Sequence, residues 1–276
     1  MIKLNYKEEL LFLMNNDILS IDEFNIDILN DCKVIYEVIR VVGSKPLFLN
    51  EHFERLIKSC DLSGIKCPNI QGLKSSIYKL LEKNPVKEKN LKISIGFNKQ
   101  VNSEPQLLAY FIASFYPSEE DFRKGIKVEL LPAIRNNPNV KLENPTMRGS
   151  AEKVICISQT SEALLVDNDG FITEGSRSNF FALKNNTIFT PPSDYVLKGI
   201  TRSKVIELCS NNQIPLQEIK IHTSEIGSFE GAFITGTSSK VLPIRRIGNI
   251  PVEVGQPLIT RVMELYNDLT KKELIG

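Results

Sequence analysis

The chain has no surplus of charge of either sign. Its 276 residues carry 34 lysines and arginines against 33 aspartates and glutamates, a formal net charge of +1. Nucleic-acid binding without sequence preference depends on excess positive charge, so that class of function lacks its main electrostatic term. Histidine is scarce, with His52 and His222 the only two. The five cysteines (Cys32, Cys60, Cys67, Cys156, Cys209) are odd in number, widely scattered and without a C-x-x-C pair. A zinc site has little to work with, and the expectation is reduced, mostly buried thiols in a cytoplasmic protein. The first ten residues, M-I-K-L-N-Y-K-E-E-L, lack the uninterrupted apolar core of a signal peptide. No apolar run reaches the length of a membrane span, and neither internal repeats nor low-complexity tracts are found.

What is there reads as a soluble globular chain, 42% hydrophobic and 24% charged, long enough for two domains of ordinary size. In Lys33–Val42, Val34, Tyr36, Val38 and Arg40 share one face of a strand, and Ile35, Glu37, Ile39 and Val41 the other. Glu37 and Arg40 therefore need solvent, a partner or a ligand on opposite faces of an otherwise apolar strand. A second strand is expected at 46–49. Asn50 then caps a helix ending near Gly64, and another helix spans about 70–83. Strands at 91–96 and 107–114 follow, the latter almost wholly apolar and so central.

Proline and a charge cluster in S-F-Y-P-S-E-E-D-F-R-K-G (114–125) mark a boundary. The expected division is a domain at 1–115, a linker at 116–122 and a domain at 123–276. The second half opens with a strand at 126–131 and a polar loop, 135–139, leading to Lys141 in a further strand. A helix at about 147–160, strands at 163–167, 171–173, 178–183 and 187–189, a helix at 201–211, strands at 215–221, 232–235 and 241–244, and a last helix at 256–270 complete the pattern. Asn168-Asp169-Gly170 signals a hairpin. Hairpins without strict β-α alternation point to a mixed α/β fold, not a doubly wound one.

Several residues could carry chemistry. A lysine attacks a carbonyl only when its amine can shed a proton, which burial or a nearby cation favours. Lys141, between Val140 and Leu142, suits that role, and an ordinary surface lysine is the competing reading. Glu174 follows a strand in T-E-G-S-R-S-N, where a carboxylate could pair with a protonated ring nitrogen or merely face solvent. Asn179 could support it or serve as a turn residue. Gly199-Ile200-Thr201 opens a helix whose N–H groups attract a phosphate, and Gly236-Thr237-Ser238-Ser239 is a small-residue turn rich in donors. Arg55 could fork onto a phosphate or pair on the surface with Glu51. His52 is read as positioning the helix that carries it.

Four blocks in order, N-E-H-F-E-R-L-I-K-S (50–59), E-A-L-L-V-D-N-D-G-F-I-T-E-G-S-R-S-N-F-F (162–181), L-K-G-I-T-R (197–202) and F-I-T-G-T-S-S-K-V-L-P-I (233–244), resemble the class IV (fold type IV) pyridoxal-phosphate enzymes. These include branched-chain aminotransferases, D-amino acid aminotransferases and 4-amino-4-deoxychorismate lyases. The resemblance implies two α/β domains with pyridoxal 5'-phosphate in the cleft between them, usually in a homodimer. It implies Lys141 as the Schiff-base lysine, 33 residues before the ring glutamate Glu174, whereas Lys153 is only 21 residues before it. Arg55, Ile200, Thr201, Gly236 and Thr237 would hold the phosphate, with Asn179 beside Glu174. Tyr36, Arg40 and Ser238 are the candidates for substrate recognition.

The expected activity is amino transfer between a small or hydrophobic amino acid and a 2-oxo acid, without nucleic-acid or membrane partners. The lyase reaction and a non-catalytic relative are the alternatives. Three departures bear on the subfamily. Leu29-Asn-Asp-Cys-Lys33 replaces the Tyr and Gly-Asp-Gly segment of branched-chain enzymes. Segment 96–100 lacks the His of the D-amino acid enzymes' Arg-x-His pair. Thr146 stands where branched-chain enzymes tend to have Tyr.

Overall fold

The computed structural model describes residues 10–97 and 104–275. The first nine residues, read above for a signal peptide, and 98–100 of the segment read for a histidine lie outside the described residues. By internal contacts the chain splits into two compact units. One comprises Met1–Phe115, Val140–Glu143 and Glu273–Gly276, and the other Tyr116–Asn139 and Asn144–Lys272.

The first unit is built on a six-stranded sheet of β1 (Leu11–Met14), β2 (Asp17–Ser20), β3 (Lys33–Val42), β4 (Lys45–Pro46), β5 (Glu88–Phe97) and β6 (Gln106–Ile112). Its order is β2-β1-β6-β5-β3-β4, with every pairing antiparallel. Helices α1 (Leu49–Ser63) and α2 (Ile70–Lys83) cover one face. Phe53, Leu56 and Cys60 of α1, with Leu73, Ile77 and Leu80 of α2, pack there against Ile35, Ile39, Leu91, Ile93 and Ile95. The alternation read in β3 is therefore real, and its Ile35 face is the buried one.

Sequence reasoning places no element before Lys33, yet β1 and β2 pair there. The expected strand at 46–49 shrinks to two residues, because Phe48 turns left-handed (φ +53°) and starts α1. Asn50 consequently sits inside the helix, where its Oδ1 accepts from Lys74 Nζ at 2.8 Å and caps nothing.

The second unit begins with α3 (Glu119–Lys124), inside the stretch expected to be linker and opened by a Ser118/Asp121 capping box. Its sheet contains β7 (Ile126–Pro132), β8 (Glu162–Val166), β9 (Phe171–Gly175), β10 (Asn179–Lys184), β11 (Thr187–Thr190), β12 (Leu216–Glu218), β13 (Ile221–His222), β14 (Gly231–Gly236), β15 (Lys240–Ile247) and β16 (Ile250–Pro251). The order is β12-β11-β10-β14-β15-β7-β8-β9-β13, with β16 on β15. The expected single strand at 215–221 is two pieces at opposite ends of this sheet, since β12 pairs with β11 and β13 with β9. Parallel β15/β7 and β7/β8 pairs among antiparallel neighbours make the sheet mixed.

Around this sheet lie α4 (Pro145–Ser158), α5 (Ile200–Asn211) and α6 (Pro257–Ile275). Asn144 caps α4 by accepting from Met147 N. Phe181 and Phe233 stack at 4.7 Å on adjacent strands β10 and β14, both fully buried. Phe181→Ala is expected to destabilise the second unit by about 3–5 kcal/mol, the usual result of emptying a buried aromatic site. A chemical-denaturation midpoint within error of wild type would contradict that.

Candidate active site

Lys141 does not lie in a strand entering the second unit, as its sequence position suggests. Residues 140–143 pair with the edge of β3: Tyr36 N donates to Lys141 O at 3.0 Å and Glu143 N to Val34 O at 2.9 Å. An antiparallel bridge joins Ile35 to Leu142, and Leu142 packs onto the core beneath. Neighbouring side chains on a strand face opposite ways, so Leu142 pointing inward turns Lys141 and Glu143 to the other face, beside Tyr36 and Val34. Lys141 Nζ lies 4.7 Å from the centroid of the Tyr36 ring, and its backbone N–H donates to Ser59 Oγ on α1 at 3.3 Å. Arg40 shares the Tyr36 face, and its Nε donates to Glu88 Oε1 at 2.6 Å.

On the helix side of β3, Glu37 is fully buried. Arg55 grips it with Nε to Oε1 at 2.7 Å and Nη2 to Oε2 at 2.6 Å, and His52 Nδ1–H donates to Oε2 at 2.7 Å. The partner that Glu37 required is thus Arg55, which is not left to pair with Glu51 alone. Burial by itself would raise the Glu37 pKa. The charge and hydrogen bonds of Arg55, then those of His52, outweigh burial and hold it at about 2. Burial pushes His52 down from its usual value, and Glu37 only partly offsets this.

In the second unit Glu174 lies near the end of β9 and is buried, not a solvated loop acid. Arg135 Nε donates to its Oε1 at 2.5 Å, and Leu197 N donates to its Oε2 at 3.2 Å. Asn179 Nδ2, at the head of β10, reaches Oε2 at 3.4 Å and Leu197 O at 2.8 Å. The tight turn between Glu174 and Asn179 is shaped by a second buried acid, Glu162. It accepts from Ser176 N and Oγ, Arg177 N, Ser178 Oγ and Ala163 N. Gly175 is required at this turn, because a Cβ there would lie 2.0 Å from Ser178 Oγ.

Helix α5 starts at Gly199, which offers no side-chain cap to the first-turn N–H groups. A Cβ on Gly199 would lie 2.1 Å from Asn179 Oδ1, so glycine is what lets the helix start approach Asn179. Ile200 and Thr201 form the first turn, and Thr201 Oγ1 lies 3.4 Å from Tyr266 OH on α6. Gly236 closes β14 and, with Thr237 and Ser238, leads into β15. Thr235, just before this turn, has a fully buried hydroxyl without a hydrogen-bond partner.

The structure therefore groups Lys141, Tyr36, Arg40 and Arg55 in the first unit. Glu174, Asn179, Ile200, Thr201, Gly236, Thr237 and Ser238 lie in the second. Sequence reasoning assigned no role to Arg135 or Glu162. Arg135 stood in a loop noted only as polar, and Glu162 carried no signal because its donors come from backbone and serines brought in by the turn.

The first unit thus carries a lysine on a partly buried face, and the second a buried carboxylate held by an arginine and a helix that starts at a glycine. Residues 34–247 match the sequence profile of amino-transferase class IV, and the chain belongs to that family. It is 28% identical over 249 residues to a probable branched-chain-amino-acid aminotransferase of Rickettsia felis, covering 87% of this chain and 84% of that protein. To the D-alanine aminotransferase of Bacillus licheniformis it is 29% identical over 233 residues, covering 81% and 82%. Its fold matches the branched-chain aminotransferase of the thermophilic archaeon Thermoproteus uzoniensis, solved with norvaline, with a TM-score of 0.85, 20% identity, and coverage of 96% of each chain.

The buried acid–base cluster behind β3 sets an acid limit. Neutral His52 contributes stability fully present above its unfolded value near 6.5 and lost as pH falls toward its lower folded pKa. Glu37 adds a contribution, on the order of 3 kcal/mol, present above 4.5 and lost as pH falls toward about 2. Thermal midpoints measured down a pH series are expected to fall in two stages, and His52→Gln should remove the upper stage. A midpoint flat from neutrality to about pH 4 would rule this out.

Proposed function

We propose that the protein is a pyridoxal-phosphate-dependent aminotransferase moving an amino group between a hydrophobic amino acid and a 2-oxo acid. Lys141 carries the cofactor covalently, Glu174 faces its ring nitrogen, and the Gly199 helix start with Ile200 and Thr201 receives its phosphate. Arg55 and the Gly236-Thr237 turn add phosphate donors, and Asn179 braces Glu174. The observation that carries this reading is the seating of Lys141: the register that buries Leu142 turns the amine to the Tyr36 face.

The residues present fit the cofactor. Pyridoxal phosphate when bound supplies an aldehyde for amines and a ring that delocalises the electrons released at the substrate α-carbon. Glu174 contributes a fixed acceptor, since Arg135 and Leu197 N hold its two oxygens in place and a carboxylate has further lone pairs for a ring N–H. The first turn of α5, which Gly199 opens without a side-chain cap, contributes backbone donors. Glu37 sets the plane of the Arg55 guanidinium by a two-point grip. Lys141 Nζ, released when a substrate amine takes its place, removes the α-proton as base and returns a proton as acid.

Tyr36 and Ser238 remain the candidates for substrate recognition, whereas Glu88 already engages Arg40. All five cysteines are free thiols, which supports the cytoplasm as the compartment. Among the described residues no helix is long and apolar enough to cross a membrane. Assembly as a homodimer is part of the proposal, and Ile157 on α4, 84% exposed, is an apolar residue such an interface would cover.

Borohydride reduction of the holoenzyme followed by peptide mapping is expected to place the label on Lys141. A label on Lys153 would overturn the assignment. Glu174→Ala should leave the far-ultraviolet circular dichroism unchanged while lowering turnover by roughly a hundredfold or more. Turnover equal to wild type would remove Glu174 from its role.

A further inference from the structure

Among the described residues, the bulkiest side chain to be fully buried is that of Arg202, which follows Thr201 in α5. Helix side chains lean toward the N-terminus, and this guanidinium turns back over the connection from β11 to α5. Its Nη2 donates to Pro191 O at 2.9 Å and to Glu218 Oε2 at 2.7 Å, and its Nη1 to Ser193 Oγ at 3.1 Å. The same Glu218 oxygen accepts from Ser193 N at 2.9 Å and from Ser193 Oγ at 2.7 Å. Glu218 lies in β12, whose pairing with β11 fixes it to the sheet.

The connection clamped in this way, residues 191–198, carries Leu197. The Leu197 N–H donates to Glu174 Oε2 at 3.2 Å, and its carbonyl accepts from Asn179 Nδ2 and from Gly199 N, each at 2.8 Å. Arg202 therefore joins two pieces of chain, the first turn of α5 and the segment that meets Glu174. Burial would raise the Glu218 carboxyl, but hydrogen bonds from Ser193 and Arg202, with the Arg202 charge, outweigh burial and lower it, so the pair is ionised at neutral pH. Arg202 Nε has no partner among the described residues. A buried guanidinium with a donor unmet is a poor device for stability, because an apolar side chain of similar size would cost less. What it supplies is geometry, a planar fork whose donors are fixed relative to one another.

We propose that Arg202, held by Glu218 and Ser193, is a positioning residue that sets the phosphate-receiving turn of α5 at a fixed spacing from Glu174. The inference rests on the reading of that turn as the phosphate end of the cofactor site and of Glu174 as its ring end. Arg202 acts through backbone on both sides. One side is the turn Gly199–Thr201, and the other runs from Pro191 and Ser193 to Leu197. The phosphate and ring nitrogen of pyridoxal phosphate belong to one small molecule, so the groups that meet them must stand the right distance apart before it binds. Without the fork, the turn and the segment before it shift against each other, and part of the binding energy is spent on ordering them.

The test measures dissociation constants of the cofactor-stripped full chain for pyridoxal phosphate and for pyridoxal, which lacks the phosphate. Wild type should strongly prefer pyridoxal phosphate. The double variant Arg202→Met/Glu218→Gln removes both charges and leaves neither ion buried alone, so it spares the fold better than either single change. It should weaken pyridoxal phosphate roughly tenfold or more, the scale of one hydrogen bond to a charged group. Pyridoxal has no phosphate to register against the turn and should bind nearly as before. Arg202→Lys keeps a charge opposite Glu218 but not the fork. It should retain the wild-type far-ultraviolet circular dichroism while losing most of the preference, and it serves where the double variant folds poorly. Equal losses for the two aldehydes would leave Arg202 a purely structural role, and an unmoved preference would leave it none; either result overturns the proposal. In both cases borohydride would still label Lys141 of the wild-type holoenzyme, whereas failure of the aminotransferase reading would show as loss of that label.

Discussion

The placement of Lys141 depends on a short edge pairing. Two backbone hydrogen bonds, from Tyr36 N to Lys141 O and from Glu143 N to Val34 O, seat four residues on β3. Their register is set by Leu142, which belongs to the core with Ile35. Slipping the register by one residue would reverse every side chain. Lys141 would then enter the layer beneath the helices, where an unpaired ammonium is expensive to bury. A hydrophobic residue that touches no reactant therefore decides where the amine points. Ser59, reaching from α1 to the Lys141 N–H, ties the same residue to the helix layer.

Both units use a buried carboxylate as framework. Glu37 is held by Arg55 and His52, and Glu162 by donors from a turn and its flanks. An ionised group inside a protein is tolerated only when nearly every lone pair is met. Satisfying these acids fixes the neighbouring backbone and side chains within narrow limits. Glu37 thereby orients Arg55, and Glu162 shapes the turn that delivers Glu174 and Asn179. The acids proposed to act on ligand and those that hold the scaffold are distinct residues in each case.

Much of the architecture was legible because its signals are local. Alternation in β3, the helical stripe of α2, and the Asn-Asp-Gly hairpin before β9 depend on nearest neighbours along the chain and were read from it. Legibility failed where a partner comes from far away. Strand β1 is only four residues long, and it joins the sheet through β6, about a hundred residues on, besides its hairpin partner β2. The 215–221 segment looked continuous, but β12 and β13 answer to different strands, β11 and β9. Asn50 resembled a cap until Phe48 took a left-handed turn ahead of it. Among the residues proposed to act, the spacing of Lys141 and Glu174 and the glycine at 199 stand in the sequence, while Arg135 and Glu162 do not announce themselves.

The amino-acid order alone determined the family, the α/β class and the residue types available for the chemistry, because four short blocks in fixed sequence carry that information without folding. It also showed that Glu37 and Arg40 each needed a partner, since polar groups on an apolar strand cannot be left unmet. Only the tertiary structure decided who those partners are, that Lys141 belongs to the first unit's sheet, and that Arg202 is buried against Glu218. Charges find their counter-ions through space, and a strand's face is settled by which neighbour is buried, neither of which is written in spacing along the chain.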